Sequence, residues 1–277
     1  MKKLILLSLS FFFVFTSYSS AQIVGENYEI EQQLLASTKQ LNQFFKRFNG
    51  EEDVKGRTFE PDDRQYRNER LRKKYLSILF DEEDTDISSQ AKNDFIERVT
   101  QGDNPEFLNL HSTDWFAVVN TTFLYKGKEM PLLLYMKIQQ EALGYEWVIA
   151  DVAFDPYKTM FDKQRGETKV FLHPMSHELD FMNLRKALVK GGVPESYTLA
   201  DYKPDFLTIF LYEVKMGILQ FQTVNRMNYH FFGIDGWYFS LTNFNRANDN
   251  SGWLISDLLQ VNTSQKEDLL KIIYEKK

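Results

Sequence analysis

The sequence predicts an α+β protein of two tandem halves, each a set of helices followed by a curved antiparallel meander of at least three strands. Three observations carry this expectation. Apolar residues recur at helical spacing over residues 30–48, and the period changes to an alternating one in the segments from residue 115. After a turn-rich break at 155–169 the same order restarts, with alternation returning near 218. One phrase also occurs twice, as "YEWVIADV" and "SGWLISDL", with Trp four residues before Asp and Ile midway: Trp147 to Asp151, Trp253 to Asp257. Gly127 and Gly233 each lie twenty residues before the phrase's Trp. Shared order and shared spacing read as a divergent tandem duplication. The alternative is that any antiparallel meander closes on an alternating strand with an aromatic residue.

The expected boundaries are 1–21 for a signal peptide, 22–160 for the first half and 161–277 for the second. Lys2 and Lys3 form a positive leader, "LILLSLSFFFVF" is the apolar run, and Ser19 and Ala21 suit cleavage before Gln22. That run is shorter than the ~20 residues of a membrane-spanning helix, and no second long apolar run follows. The expectation is export, to a periplasm or outside the cell, with no transmembrane segment after signal removal. A retained N-terminal anchor is the alternative.

In the first half, Ile30, Leu34, Leu41, Phe44, Phe45 and Phe48 make an amphipathic helix. A second helix is expected over 65–80 with Leu71, Tyr75, Ile78 and Leu79 inward. Ser88 caps a third that carries Ala91, Phe95 and Val99, and "QGDNP" stops it. Strands follow at 115–125, 131–140 and 145–154. In the second of them Leu132, Leu134, Met136 and Ile138 share one face, with Tyr135 and Lys137 on the other. By the same alternation Trp147, Ile149 and Asp151 share a face, and each Asp accepts backbone N–H groups in the turn beyond. A catalytic carboxylate is the alternative for Asp151 and Asp257. In the second half Ser176 caps a helix. Residues 204–217 are apolar nearly all round and read equally as helix or strand. Strands are expected at 218–232, 236–245 and 252–261. A last short helix opens on a capping box of Ser264 and Glu267.

The helices-then-meander order, and a last strand opening with Trp in "YEWVIADV" and "SGWLISDL", resemble the nuclear-transport-factor-2-like, or cystatin-like cone, superfamily. The resemblance covers most of 28–155 and, more loosely, 176–262. It implies two cone-like halves, each a bent sheet wrapped on helices around an apolar pocket. Members include small-molecule isomerases and dehydratases as well as scaffolds, so fold alone does not assign activity.

Composition narrows the chemistry. There is no cysteine, which removes disulfides, thiolate metal sites and a Cys nucleophile. The formal charge of −6 becomes −8 without Lys2 and Lys3, so nucleic acid is not an expected partner. The 24 Phe and 14 Tyr favour aromatic packing and a pocket or interface.

Candidate site residues are few. Superfamily enzymes place a carboxylate or histidine inside the cone, and His230 with Tyr229 and Asp235 is the nearest equivalent; the alternative is a core histidine among aromatics. His173, His177 and Glu178 in "HPMSHE" could ligate a metal, although Pro174 biases His173 away from helix; the alternative is a helix cap. His111 and Asp114 precede the first strand. Tyr135 and Tyr238, on the polar faces of their strands, are the expected ligand or partner surface. "DRQYRNERLRKK" is a basic stripe that could bind phosphate, or a solvated face paired with its acidic neighbours. The reading is a non-catalytic exported protein without a cofactor, binding an apolar small molecule or an envelope protein. The alternative is a small-molecule isomerase or hydrolase using an acid–base pair in a cone pocket.

Overall fold

An apolar run that passes into alternation produces the central strand β1 (Trp115–Tyr125), and a tight turn at Lys126-Gly127 returns the chain as β2 (Lys128–Glu141) and then β3 (Gly144–Ala153). The second meander is β4 (Leu219–Phe231), β5 (Trp237–Phe244) and β6 (Gly252–Gln260). In this computed structural model, which describes residues 40–161 apart from 54 and 103, then 188, 194–247 and 250–274, the protein is α+β. β1 pairs antiparallel with β4, so the two meanders form one six-stranded sheet in the order β3-β2-β1-β4-β5-β6.

Helices are set by their caps. α1 is described over residues 40–49. α2 (Glu69–Ser77) starts where the Asn68 side chain accepts from Leu71 N–H, and α3 (Ser89–Thr100) where Ser88 accepts from Ala91 N–H. α4 (Asp155–Met160) has Pro156 in its first turn, where a missing N–H costs nothing; the sequence reading had a plain linker here. Residues 206–215 are helical: Asp205 caps α5 (Phe206–Lys215) by accepting from Leu207 and Thr208. The last helix, α6 (Thr263–Ile273), opens on a capping box of Asn262 and Gln265, two residues before the expected Ser264 and Glu267. The Ser176 helix lies outside the described residues, as do Ile30 and Leu34.

Odd-numbered side chains of β1 face inward. Trp115, Ala117 and Val119 meet Leu41, Phe44, Phe45 and Phe48 of α1, with Phe95 and Val99 of α3. Farther along the same face Phe123 and Tyr125 meet Phe210 of α5 and Tyr157 of α4, whose hydroxyl donates to the buried Glu213 carboxylate at 2.7 Å. Among the described residues the outer face carries α6, through Leu270, Ile273 and Tyr274.

One helix face differs from expectation. α2 turns Arg72, Tyr75 and Leu76 inward and leaves Ile78 exposed. The Arg72 guanidinium donates to the carbonyls of Phe48 (2.8 Å) and Val99 (2.7 Å), and also to Glu106 O. Phe48 and Val99 lie in the last turns of α1 and α3, whose free carbonyls attract a cation. Burial lowers the Arg72 pKa to about 10. Two further cations of the basic stripe form ion pairs, Arg67 with Glu51 and Lys73 with Glu69. Asp81, first of the acidic run at residues 81–84, instead takes a two-pronged bond from Arg246 (2.6 and 3.1 Å) across the fold.

The repeated phrase has a structural meaning. Residue for residue, one row crosses all six strands on the inner face: Ile149, Met136, Ala117, Tyr229, Leu241, Ile255. The two Ile residues of the phrase sit at its opposite ends. Next to each, the ladder skips one residue. Tyr135 faces Asp151 and Met136 faces Ile149, which leaves Ala150 bulged; Ser240 faces Asp257 and Leu241 faces Ile255, which leaves Ser256 bulged. A bulge shifts the alternation by one. Asp151 and Asp257 therefore lie on the outer face, opposite Trp147, Ile149, Trp253 and Ile255, correcting the expectation that Trp, Ile and Asp share a face. The glycine spacing is corrected too. Gly127 and Gly236, both with positive φ, are the residues that immediately precede β2 and β5. Gly233 lies earlier in its loop, against the Asp114 carboxylate.

Candidate functional site

Between the outer face and α6 lies an open cleft of about 450 Å³. Its apolar lining is Phe116 of β1, Phe232 after β4, and Leu270 and Tyr274 of α6; Asp114, Lys137, Asp151 and Lys271 supply its charges. Alternation and the bulge build it. Phe116 and Lys137 are outward positions of regular strands, while Asp151 reaches this face because Ala150, itself part of the lining, is bulged.

α6 is held over the cleft by a small number of bonds. Lys266 Nζ donates to the carbonyls of Phe232 (2.9 Å) and Ile234 (3.0 Å). Tyr135 Oη donates to Ile273 O at 2.8 Å, and its ring stacks on Tyr274 at 4.4 Å. Phe116 packs against Tyr274 (5.0 Å) and Phe232 (6.1 Å). Burial, then the neighbouring Asp151 charge, raise the Tyr274 pKa to about 12. Tyr274 is thus a neutral phenol in the cleft wall near pH 7. Lys271 pairs with Asp268 at 2.9 Å.

The sequence-derived candidates are placed as follows. Tyr229 and His230 are consecutive strand residues and face opposite ways. Tyr229 lies in the inner core between Trp115, Trp147 and Trp253. His230 is on the outer face, with Nδ1 2.8 Å from Tyr238 Oη and its ring stacked on Phe116. Asp235 is in the β4–β5 loop, its side chain largely exposed, with Arg98 at 3.4 Å. The three do not meet. Burial depresses the His230 pKa to about 4, with the Asp257 charge opposing that shift, so the imidazole is neutral near pH 7.

Tyr135 and Tyr238 are buried. Tyr135 is covered by the chain's own last helix, and Tyr238 packs on Phe232. Asp151 Oδ1 accepts from Val152 N–H at 2.9 Å. Asp257 accepts from the Ser240 hydroxyl, which also lies 3.0 Å from Ser256 Oγ. Ser240, His230 and Asp257 share one cross-strand row, yet the Ser240 hydroxyl is committed to the carboxylate and not to the imidazole, so a nucleophile–base pair is not formed. His111 stacks on Tyr145 at 4.0 Å. His173, His177 and Glu178 lie outside the described residues, and among the described residues no cluster of three metal-ligating side chains occurs. Among the described residues no helix is long and apolar enough to cross a membrane.

Sequence reading missed the cleft because it depends on where α6 lands and on the bulge at Ala150. Phe116 and Phe232 carried one signal, being large aromatics on positions that alternation sends away from the helices. Comparison with protein-family models, with curated proteins and with solved structures finds no match.

Proposed function

We propose that this is an exported, non-catalytic binding protein of the cell envelope whose cleft beneath α6 takes an apolar small molecule. The observation that carries the reading is the cleft itself, with Phe116, Phe232, Leu270 and Tyr274 as apolar walls and Lys137 and Asp151 beside them. Such a site matches the usual plan of a ligand pocket, in which aromatic walls give affinity and a few polar groups fix orientation. The acid–base alternative needs titratable groups that converge on one point, and the separation of His230, Tyr229 and Asp235 weighs against it. Export follows from the leader pattern of residues 1–21.

We further propose that the two meanders descend from one cone-like unit of the nuclear-transport-factor-2-like superfamily. The equivalent bulges at Ala150 and Ser256, and the row ending in Ile149 and Ile255, support that origin.

The test is titration of the purified protein with an uncharged apolar fluorescent probe, N-phenyl-1-naphthylamine, followed by competition with uncharged and charged compounds bearing apolar groups. The expected result is saturable binding at one site, competed without chemical change in the competitor. Failure to bind any of them, or conversion of a competitor to product, contradicts it.

A further inference from the structure

The end of the sheet away from the phrase row exposes a cluster of apolar side chains that the packing does not require. The outer side of α5 and the turn into β4 present Leu211, Tyr212, Met216, Ile218 and Phe221, with Tyr212 58% and Met216 60% exposed. Apolar patches of this kind on a folded protein mark an interaction surface.

Among the described residues at the end of α5 and in the β1–β2 turn, the exposed charges on the side that α5 covers are lysines. Tyr125 pairs with Leu219, so the β1–β2 turn lies directly beside residues 217–218. That turn contributes Lys126 and Lys128, and α5 contributes Lys215. Lys128 faces Tyr125 and therefore shares the side of the sheet that α5 covers. The acidic residues of the same segments point elsewhere. Glu213 is buried against Tyr157, and Glu129 alternates to the outer face. A basic, aromatic and aliphatic tip thus stands on a chain whose formal net charge is −6.

We infer that this tip is a peripheral docking site for an anionic lipid surface. Leu211, Tyr212, Met216 and Ile218 enter the headgroup region while Lys126, Lys128 and Lys215 meet lipid phosphates. This combination of apolar insertion and cationic rim is what holds interfacial helices on membranes. Lysine stems can lie along the apolar surface with the ammonium at headgroup level. The acidic remainder of the protein is repelled by the same surface, which orients the molecule tip-down.

The experiment is cosedimentation of the purified protein with vesicles of phosphatidylcholine alone and of phosphatidylcholine with phosphatidylglycerol, at low and at high salt. Two variants accompany it, Leu211→Glu with Met216→Glu, and Lys126→Glu with Lys215→Glu. All four positions are solvent-exposed, and circular dichroism verifies that both variants fold. The expected result is binding to the anionic vesicles, reduced by salt and lowered at least ~10-fold in each variant, as charge and burial terms of this kind combine. Absence of vesicle binding overturns the inference, as does binding that neither variant weakens. A self-associating protein that Leu211→Glu with Met216→Glu renders monomeric, with no vesicle binding in the parent, also overturns it and assigns the patch to a second copy.

Discussion

Trp147 and Trp253 close on one ring, Tyr229, from opposite sides: the centroids are 6.1 and 4.7 Å from it. β3 lies three strands from β4, about 14 Å in a flat sheet, so this contact needs a sheet that curls inward. The two Trp residues are not equally enclosed, being 37% and 5% exposed. Trp253→Ala is expected to cost about 3–5 kcal/mol, as for a buried aromatic. Trp147→Ala should cost about 1–2 kcal/mol, since much of its area already meets water. Urea unfolding of the two variants gives the order directly.

The bulges make a sharper prediction. Because Ala150 and Ser256 occupy equivalent irregularities, the two phrases should be interchangeable. Val148→Leu with Ala150→Ser, which writes the second phrase into β3, is expected to change stability by less than ~1 kcal/mol. Deleting Ser256 should cost more than this exchange, although it leaves Ile255 and Asp257 as consecutive residues in register with Leu241 and Ser240, because it removes the bend of the bulge and the Ser256 Oγ contacts with Ser240 and Thr242. Denaturant midpoints with near-ultraviolet circular dichroism distinguish these outcomes.

Arg72 ties α1, α2 and α3 together through three main-chain carbonyls. Arg72→Met keeps much of the stem and removes the guanidinium donor from the Phe48 and Glu106 carbonyls, while Val99 O keeps the Glu106 N–H at 3.1 Å; the expected cost is about 3 kcal/mol. Arg72→Lys should recover only part of it, because an ammonium cannot reproduce the planar fork. Thermal unfolding of the pair reads the difference.

His230 sets a pH dependence. Its folded pKa, about 4, lies below the reference 6.5, so between those values the unfolded chain binds more protons. Stability contributed by the neutral imidazole is therefore complete above about 6.5 and is lost as pH falls toward 4. The groups facing the ring are Tyr238, which keeps its proton, and Asp257, whose charge favours protonation and limits the effect. The expected loss is about 1–3 kcal/mol, and His230→Gln should flatten that part of the profile. Urea midpoints from pH 7 to pH 4 for the two proteins measure it.

Much of this architecture is legible in the residues. β1 through β6 follow alternation closely, and Ser88 marks the start of α3, because period and cap chemistry are local. Arg72 was not legible, since its place depends on carbonyls of Phe48 and Val99 that lie far off in sequence. The single sheet was not legible either, because alternation within β1 and β4 says nothing about which edge each will pair. The Asp side of the phrase was misread for a related reason. A bulge is a relation between two strands, and a single strand's sequence does not announce the skipped residue.

The central claim is that the cleft under α6 is a ligand site. Ala150 lines it, is exposed and stands at a bulge, so Ala150→Phe should fill the cleft without disturbing the core. The measurement is calorimetric titration of parent and Ala150→Phe proteins with the apolar compound that competes best for the probe site. The account predicts one saturable site in the parent and a loss of affinity of at least ~10-fold in the variant, about 1.4 kcal/mol, with unfolding midpoints unchanged. Equal affinity in the two proteins would contradict it.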